Sequence, residues 1–395
     1  MMRTHEREGL LKAAARFGTP AYVYEEEAIV RQCALLKEAF PGFAIQYAAK
    51  VNSNPALLKR VRREGLGVET VSQGELELAA RAGFLPRETS FTCSNLTEDE
   101  LIAVARTGAQ VHLDSLTQLE HWGKNALGIR VFLRINQGIG KGAHKHWITG
   151  GPDSKFGITL KDLPRAQELA KQYGLIIAGL HQHIGSNVRE IDPFLRATDA
   201  LLKTARAFPD LEHLSFGGGF GVPYRPQEKP LPVQRLGKEM RKRIGAFEES
   251  IGKRLSYSIE PGRFVIAEAG TLLVSVVDRK ETEAHTFVGV NSGFNHLVRP
   301  VMYDAHHEVE NLSERKGKKV PVSIAGNLCE SGDIFAHDRL MPAPRIGDIL
   351  AIRTAGSCGF AMASYFNMRR LPREVLHTRG GTLKDISFDP GDYAR

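Results

Sequence analysis

The chain has 395 residues, of which 42% are hydrophobic and 25% charged, and 53 Lys and Arg against 45 Asp and Glu leave a net charge of +8. This composition excludes a disordered, fibrous or collagen-like protein, and no apolar run is long enough for a transmembrane helix. At about 150 residues per domain, the length predicts two or three domains.

The distribution of basic residues and cysteines restricts the class of protein further. The basic residues are spread along the chain, so we expect no nucleic-acid partner. The four cysteines are far apart and form no C-x-x-C pair, which argues against a zinc cage or a disulfide framework. The first eight residues mix charges and lack an apolar core, unlike a secretory signal. We therefore expect a cytoplasmic protein with no membrane partner.

The predicted elements begin with a strand-like segment at 20–24, which precedes the first helix and is expected to pair with a C-terminal sheet. Short apolar runs then alternate with helix-period stretches, including a helix over 97–106 that opens with the capping box Thr97 to Glu100. The eight predicted strands are 43–50, 67–72, 89–93, 110–114, 130–136, 175–184, 211–216 and 254–260. Eight strands alternating with helices predict a TIM-type (β/α)8 barrel, with an open doubly wound sheet as the alternative.

The pattern changes after about residue 270. Strand-like runs at 272–277, 286–290, 320–325 and 348–352 dominate, and helical periodicity is weak. This predicts an α/β barrel over 26–270, and a mainly β domain formed by 1–25 and 271–395.

Polar residues stand at or just after the end of each predicted barrel strand. Chemistry in a TIM barrel collects at the carboxyl ends of the strands, so these residues are expected on one rim. They are Lys50, Glu69, Ser72, Asn95, Asp114, Arg134, Asn136, His181, His183, the glycine-rich run 217–221 and the segment 260–263.

Lys50 and the glycine-rich run each admit an ordinary and a functional interpretation. A lysine at a strand end is more often a solvated terminus, but a desolvated amine forms Schiff bases. Gly217, Gly218 and Gly219 make either a tight strand-to-helix connection or a phosphate site built from backbone N–H groups. No Lys-Ser/Thr follows the run, which disfavours a nucleoside triphosphate.

His181 and His183 are the most ambiguous pair. On a strand they share one face, as half of a metal site in a barrel hydrolase or as one packed and one functional histidine. No complementary ligand except Asp114 stands at another strand end, which disfavours a metal. Glu260 is either a salt-bridge partner or a carboxylate that points into the barrel mouth.

A lysine, a glycine-rich loop, a flat imidazole and a carboxylate together suit one cofactor, pyridoxal phosphate. Lys50 would hold its aldehyde, His183 would lie against the pyridine ring, and the glycines would bind the phosphate. Glu260 would pair with the ring nitrogen and keep it protonated. A protonated ring stabilises the carbanion left when CO2 departs, so this set favours decarboxylation over racemisation.

These residues lie in sequence motifs that occur in the same order in a known family. The chain resembles the fold-type III, alanine-racemase-like pyridoxal-phosphate decarboxylases in the segments 47–54 (YAAKVNSN), 71–76 (VSQGEL), 183–186 (HIGS), 217–221 (GGGFG) and 260–263 (EPGR). It is similar to the diaminopimelate decarboxylases in 154–157 (SKFG), 299–304 (RPVMYD), 329–333 (CESGD), and Asn367 followed by 372–375 (PREV). The similarity extends from about residue 20 to residue 376.

The resemblance implies a role for each matched residue. Lys50 carries the Schiff base, and His183 and Glu260 contact the ring. The cofactor is further held by Ser186, Gly217, Gly218, Gly219, Gly262 and Arg263. The distal carboxylate of the substrate is held by Arg263, Arg299 and Tyr303. The partner subunit of a homodimer supplies Cys329, which helps to reprotonate the product, and Glu330, which contacts the distal amine.

The resemblance also implies a reaction, the decarboxylation of meso-2,6-diaminopimelate to L-lysine and CO2 in lysine biosynthesis. Glu330 stands where ornithine decarboxylases carry Asp, and ornithine and lysine lack the distal carboxylate that two arginines and a tyrosine would bind. The alternatives are a related decarboxylase of the ornithine, arginine or lysine type, a metal-dependent hydrolase using His181 and His183, and a regulatory protein without catalysis.

Two positions depart from the family pattern. Cys358 replaces the tyrosine that contacts the cofactor phosphate, and Phe366 replaces a tyrosine that precedes Asn367. Loss of a hydrogen bond to the phosphate is expected to cost about 1.5–3 kcal/mol of cofactor binding. Tyr365 is the candidate to compensate.

Overall fold

The structure is a computed structural model that describes residues 4–142, 150–151, 153–314 and 316–389. The described residues divide into two compact units, one within Gln32–Val222 and Lys229–Phe264, and the other within Met1–Arg31, Pro223–Glu228 and Val265–Arg395. The domain boundaries expected from the sequence, after residues 25 and 270, lie near this division and stay predictions. The residues 1–3 and 390–395 of the expected β domain lie outside the described residues.

The described elements alternate between strands and helices in the first two thirds of the chain. The strands are β1 (Ala21–Glu25), β2 (Phe43–Ala48), β3 (Gly67–Thr70), β4 (Thr89–Thr92), β5 (Gln110–Leu113), β6 (Arg130–Asn136), β7 (Ile158–Thr159), β8 (Ile176–His181), β9 (His213–Ser215), β10 (Ser256–Ile259), β11 (Gly270–Glu281), β12 (Thr286–Val290), β13 (Val309–Asn311), β14 (Lys319–Ala325), β15 (Ile334–Pro342), β16 (Ile349–Ile352), β17 (Arg373–His377) and β18 (Leu383–Asp385). The helices are α1 (Thr4–Phe17), α2 (Glu26–Ala39), α3 (Pro55–Arg63), α4 (Gln73–Arg81), α5 (Glu98–Ala105), α6 (Leu116–Lys124), α7 (Leu163–Gln172), α8 (Ile191–Ala205), α9 (Val233–Ile251), α10 (Arg263–Ile266) and α11 (Arg299–Tyr303).

The first unit is a closed parallel barrel. Its strands follow the order β2, β3, β4, β5, β6, β8, β9, β10, and β10 pairs in parallel with β2 to close the ring. Each strand is short and largely buried on both faces, as parallel strands under a layer of helices must be. The prediction of a TIM-type (β/α)8 barrel is confirmed, and the alternative of an open doubly wound sheet is wrong.

Helices on the rim of the barrel begin at side-chain caps that follow the strands. The predicted capping box of α5 is confirmed, because Thr97 accepts from the Glu100 N–H while the Glu100 carboxylate accepts from the Thr97 N–H. Asn54 caps α3 by accepting from the Ala56 N–H, and Ser115 caps α6 by accepting from the Gln118 N–H. Ser72, expected among the functional residues of the rim, caps α4. Such caps satisfy N–H groups that have no partner within the helix.

The second unit contains a mixed sheet ordered β15, β14, β12, β11, β1, β17, β18, with β16 pairing with β11 and β13. The pairing expected for the first strand is confirmed, since β1 lies between β11 and β17. The expectation that residues 1–25 are mainly β overlooked α1, whose Leu10 and Ala13 are fully buried in a core with Val23 and Leu273.

Strands β13, β15, β17 and β18 were not expected from the sequence. β15 carries a polar and charged centre with mixed burial, so its residues do not form an apolar run or a clean alternation. No helix among the described residues combines the length and the apolar character needed to cross a bilayer.

Candidate active site

A cavity of about 340 Å³ opens within the barrel unit and is lined by residues that follow the strands. Its lining consists of Lys50, Glu69, Val71, Thr92, Cys93, Ser94, Arg134, Lys155, Phe156, His181, His183 and Glu260. The three chemically central residues predicted from the sequence, Lys50, His183 and Glu260, are therefore together in one cavity.

Lys50 lies beyond the end of its strand, because β2 stops at Ala48 and a 3-10 turn follows over Ala49–Val51. The prediction that Lys50 is the last residue of the strand is wrong, because the strand ends at Ala48 and Lys50 lies in the turn that follows. The Asn52 N–H closes the turn by donating to the Ala49 carbonyl at 3.0 Å, and Tyr47 donates its hydroxyl to the Asn52 carbonyl at 2.9 Å. The turn brings the Lys50 amine into the cavity.

Glu69, on β3, is the ion-pair partner of the Lys50 amine. Glu69 is only 1% exposed, and burial raises its pKa to about 7 although Lys50 opposes the shift. Burial lowers the pKa of Lys50, but Glu69 outweighs that effect and leaves the pKa above its usual value. Glu69 was expected on the rim but was given no role, since the sequence alone does not show that it faces Lys50.

His183 lies outside the strand that was expected to contain it, because β8 ends at His181. The apolar pattern continues past the strand because Ile184, in the following loop, is 2% exposed. His181 and His183 therefore do not share a strand face as predicted. The Gly218 N–H donates to His183 Nδ1 at 3.0 Å, and burial together with Lys50 holds the pKa of His183 well below its usual value. A neutral, oriented ring thus lines the cavity.

The metal-site hypothesis for His181 and His183 finds no support in this geometry. Within the described part of the chain, the group with suitably close donor atoms is His112, His181 and Glu260, and it does not include His183. Most donor atoms of that group already contact each other or neighbouring polar side chains, and among the described residues only Nδ1 of His181 has no hydrogen-bond partner in this group. Both histidines line the cavity, and His181 also contacts Glu260.

The glycine-rich run after β9 approaches other backbone atoms too closely for any side chain. A Cβ on Gly217 would collide with the Gln182 carbonyl, and a Cβ on Gly218 would collide with the Glu260 carbonyl and lie 3.3 Å from the His183 ring. Gly217 and Gly219 also have φ angles of 66° and 107°, a region that favours glycine.

The backbone donors of this run are partly engaged. The Gly217 N–H donates to Ser215 Oγ at 3.3 Å, and the Gly218 N–H donates to His183. These two N–H groups already have partners within the protein, and the phosphate-binding role expected for the run stays a prediction. The main contribution of the run to the site is a close approach of its backbone to the cavity wall, which is possible because glycines have no side chain.

Ser186 and Arg263 contact each other in the barrel unit. The guanidinium of Arg263 donates to Ser186 Oγ from Nε at 3.3 Å and from Nη2 at 3.2 Å, and Arg263 is 6% exposed. Gly262 is packed tightly, since a Cβ there would lie 2.9 Å from Val51 and 3.0 Å from Ala48. A buried cation beside a hydroxyl suits a phosphate, so this geometry favours the phosphate role of Arg263.

Glu260 is 3% exposed and is held from two sides. Ser215 Oγ donates to Oε1 at 2.9 Å, and His181 Nε2 lies 3.0 Å from Oε2. Burial alone would raise the pKa of Glu260, but the hydrogen-bonded His181 and the Lys50 amine hold it well below its usual value. The carboxylate is therefore ionised and fixed in direction.

Arg299 and Tyr303 belong to the second unit, where they begin and end α11. Arg299 is fully buried, with Nη1 donating to His307 Nε2 at 2.9 Å and its guanidinium carbon 4.5 Å from the centre of the Tyr224 ring. Tyr303 is half-buried. Their expected role toward a distal carboxylate stays a prediction.

Cys329 and Glu330 are exposed in a loop that follows β14. The loop is fixed by Asp333, whose carboxylate accepts from the Leu328 N–H at 2.8 Å and from the Phe294 N–H at 2.6 Å. Asn367 contacts Cys329 twice, donating to its Sγ and accepting from its backbone N–H, both at 3.2 Å. The thiol is therefore oriented as well as exposed.

The two departures from the family pattern lie in the same unit. Cys358 has a left-handed backbone with φ of 55° and accepts a hydrogen bond from Ser357 Oγ at 3.7 Å. Phe366 stacks on Phe294 with ring centres 5.8 Å apart. The hydroxyl of Tyr365 donates to the Asp389 carboxylate, so its expected compensating role would require another arrangement.

The residues of the barrel cavity fit pyridoxal phosphate. An amine, a neutral imidazole and an ionised buried carboxylate share the cavity, which suits an aldehyde, a ring face and a ring nitrogen in turn. The side-chain-free run 217–219 and the Ser186–Arg263 pair offer the close backbone and the positive charge that a phosphate requires.

Comparisons with known proteins agree with this fit. Residues 26–267 match the family model described as pyridoxal-dependent decarboxylase, pyridoxal binding domain. A diaminopimelate decarboxylase of Methanothermobacter thermautotrophicus is 37% identical over 387 residues, covering 94% of this chain and 89% of that protein.

Solved structures give the same result for the fold. A crystal structure of a diaminopimelate decarboxylase has a TM-score of 0.90 and 33% identity, and the match covers 96% of this chain and 93% of that one. The diaminopimelate decarboxylase of Helicobacter pylori, solved in complex with L-lysine, has a TM-score of 0.88 and 28% identity, covering 97% of this chain and 98% of that one.

Proposed function

The chain belongs to the pyridoxal-dependent decarboxylases, and we propose that it removes one carboxylate of meso-diaminopimelate to give L-lysine and CO2. The observation that carries this proposal is the extent of the similarity. Diaminopimelate decarboxylases match over 94% of the chain, so the match includes the segments with Arg299 and Cys329 as well as the barrel. The L-lysine bound to the Helicobacter pylori relative is the product expected from this reaction.

Pyridoxal phosphate, when bound, supplies an aldehyde that holds the substrate amine and a ring that accepts the electron pair left by CO2. Lys50 is the amine that would hold the cofactor, and Glu69 beside it accepts or returns the proton of that amine. Glu260 would present a fixed negative charge to the ring nitrogen, because hydrogen bonds from Ser215 and His181 hold the carboxylate in one orientation. Ser186 and Arg263 would hold the phosphate.

The distal end of the substrate is proposed to bind Arg299 and Tyr303. Support comes from the complete burial of Arg299 and from its contacts with His307 and Tyr224, which fix the direction of the guanidinium. A planar arginine held in this way suits bidentate binding of a carboxylate. Ornithine and lysine lack a second carboxylate, so this pair favours diaminopimelate.

We further propose a homodimer in which Cys329 and Glu330 complete the site of the partner subunit. Both residues are exposed, and Asp333 and Asn367 keep their loop in one conformation, as expected of residues that act outside their own unit. Cys329 would donate the proton that replaces CO2, and Glu330 would contact the distal ammonium group.

Lysine biosynthesis in the cytoplasm is the proposed setting of the reaction. All four cysteines are free, in keeping with a reducing compartment. The reaction needs no partner besides the substrate, the cofactor and a second copy of the chain.

The test is a CO2-release assay of the protein reconstituted with pyridoxal phosphate, using meso-diaminopimelate, ornithine, arginine and lysine. We expect turnover of diaminopimelate with kcat/KM at least about 100-fold above that of the other substrates, because only diaminopimelate offers a distal carboxylate. Arg299→Ala should abolish that preference, whereas Lys50→Ala should abolish turnover of every substrate. Better turnover of ornithine or arginine by the unaltered protein would contradict the substrate assignment.

A further inference from the structure

The buried carboxylate of Glu260 has two hydrogen-bond partners of different kinds. Ser215 donates a hydroxyl to Oε1 at 2.9 Å, and the His181 ring meets Oε2 through Nε2 at 3.0 Å. Glu260 and His181 are 3% and 1% exposed, so this contact is shielded from water. A hydrogen bond to an ionised group in such surroundings is stronger than one at the surface.

The second nitrogen of His181 is unusual. Its Nδ1 is buried and has no hydrogen-bond partner among the described residues. One face of the ring stacks on His112, with centres 4.5 Å apart and planes 16° from parallel. Most buried polar atoms in proteins have a hydrogen-bond partner. His181 therefore makes its one strong polar contact with Glu260.

The neighbours of His112 establish its proton state. Its Nδ1 lies 2.8 Å from the Thr92 hydroxyl, and its Nε2 lies 3.0 Å from Nε2 of Gln110. The Gln110 amide donates to this ring nitrogen, so the proton of a neutral His112 is on Nδ1 and faces Thr92. Burial holds the pKa of His112 well below its usual value. The stack thus places a neutral ring against His181.

The geometry also shows that the His181 nitrogen facing Glu260, Nε2, carries a proton. If Nε2 carried no hydrogen, its lone pair would face a carboxylate oxygen at 3.0 Å, which is repulsive. Nε2 therefore carries a hydrogen whether His181 is neutral or charged. The contact is a donor aimed at Oε2, and it leaves the remaining lone pairs of Glu260 for another partner.

We propose that His181 is a positioning residue for the decarboxylation, holding Glu260 ionised and in one orientation so that Glu260 keeps the ring nitrogen of the bound cofactor protonated. The inference rests on the proposed function, in which Glu260 faces that nitrogen. His181 itself acts through Glu260 and does not touch the substrate. Ser215 supplies the second donor, to the other oxygen of the carboxylate.

The test uses the holoenzyme reconstituted with pyridoxal phosphate carrying ¹⁵N in the ring, whose NMR shift reports directly whether the ring nitrogen is protonated. In the unaltered protein we expect the protonated value at pH 8. In His181→Phe, which keeps a flat ring against His112, the shift should move most of the way to the value of a neutral ring. His181→Gln retains an N–H donor and should recover part of the protonated signal.

Kinetics of the same variants should separate positioning from binding. We expect kcat of His181→Phe to fall about 10- to 100-fold, as for loss of one hydrogen bond to a charged group, with KM within about threefold. His213→Gln is the matched control. His213 lies on the neighbouring strand β9 and contacts Ser256 and Ser258, so this variant should keep both the shift and kcat.

Other outcomes would overturn this proposal, the proposed function, or both. An unchanged ¹⁵N shift in a cofactor-loaded His181→Phe overturns it, as does failure of both His181 variants to bind cofactor while His112→Phe binds it, since that assigns His181 a purely structural role. An unprotonated ring in the unaltered protein overturns the role of Glu260 and this proposal together. A protonated ring without CO2 release from diaminopimelate overturns the proposed function alone.

Discussion

At the scale of single residues, the ion pair between Lys50 and Glu69 is the clearest addition to what the sequence predicts. The lysine must lose its proton before it can bind an aldehyde, and the carboxylate next to it opposes that loss. The same carboxylate has a pKa of about 7, because burial outweighs the attraction of Lys50. Glu69 is therefore placed to accept the proton that Lys50 must lose.

Removal of this carboxylate should change how readily the cofactor binds covalently. In Glu69→Gln, burial lowers the pKa of Lys50 without the opposing effect of Glu69. We therefore expect the rate at which the apoenzyme links to pyridoxal phosphate to reach its half-maximum at a lower pH. Stopped-flow absorbance from pH 6 to about pH 11 measures this midpoint. Glu77→Gln, at an exposed glutamate paired with Arg81, should leave it unchanged, and an unshifted midpoint in Glu69→Gln would be evidence against the role.

At the scale of elements, the sequence predicted the barrel better than the exact ends of its strands. All eight barrel strands were expected, because short apolar runs alternating with capped helices have few other solutions. Strand ends were overextended at Lys50 and His183, since a 3-10 turn and a buried loop residue continue the same apolar pattern. The contacts of Glu69 and His181 depend on strand order and register, which one sequence does not reveal.

The loop after β9 offers a test at this scale. Gly218→Ala places a methyl group against the Glu260 carbonyl and the His183 ring, so the loop must shift away from the cavity. We expect at least about tenfold weaker binding of pyridoxal phosphate, equivalent to about 1.4 kcal/mol, measured by absorbance titration. Gly245→Ala is the matched control, because its Cβ would meet open space on α9. Equal affinity of the two variants would contradict the importance of this backbone approach.

At the scale of the whole molecule, the proposed dimer gives a complementation test. Lys50→Ala and Cys329→Ala should each be inactive, whereas a refolded equimolar mixture should regain about a quarter of the normal activity. Half of the dimers in the mixture are mixed, and each of those has one of its two sites intact when sites are shared. Sedimentation should show a particle of twice the 43.6 kDa chain. Activity that stays at zero in a mixture shown to contain mixed dimers would argue against shared sites.

Histidines with lowered pKa values make the free energy of unfolding depend on pH in the acid range. Burial lowers the pKa of His213 and of His296 to about 4, against about 6.5 in an unfolded chain. Between these values the unfolded state binds more protons, so stability falls as the pH falls from about 6.5 to about 4.

For His213, the loss amounts to about 2 kcal/mol at pH 5 relative to pH 7. The difference in unfolding free energy between the two pH values, measured in urea, should therefore shrink by about this amount in His213→Gln. An exposed histidine, in His337→Gln, serves as the control and should leave the difference nearly the same. A stability that rises on acidification would show that the sign of this linkage is wrong.

The position of β1 in its sheet has a consequence for how the chain is made. β1 leaves the ribosome before every strand of the barrel, yet its neighbours β11 and β17 follow the barrel in the sequence. At the usual rate of synthesis, β1 waits on the order of tens of seconds for its second neighbour. The complete barrel sequence emerges in that interval. The nascent chain thus has one unit ready to fold while an early strand of the other still has unpaired backbone groups, a natural site for a chaperone to bind.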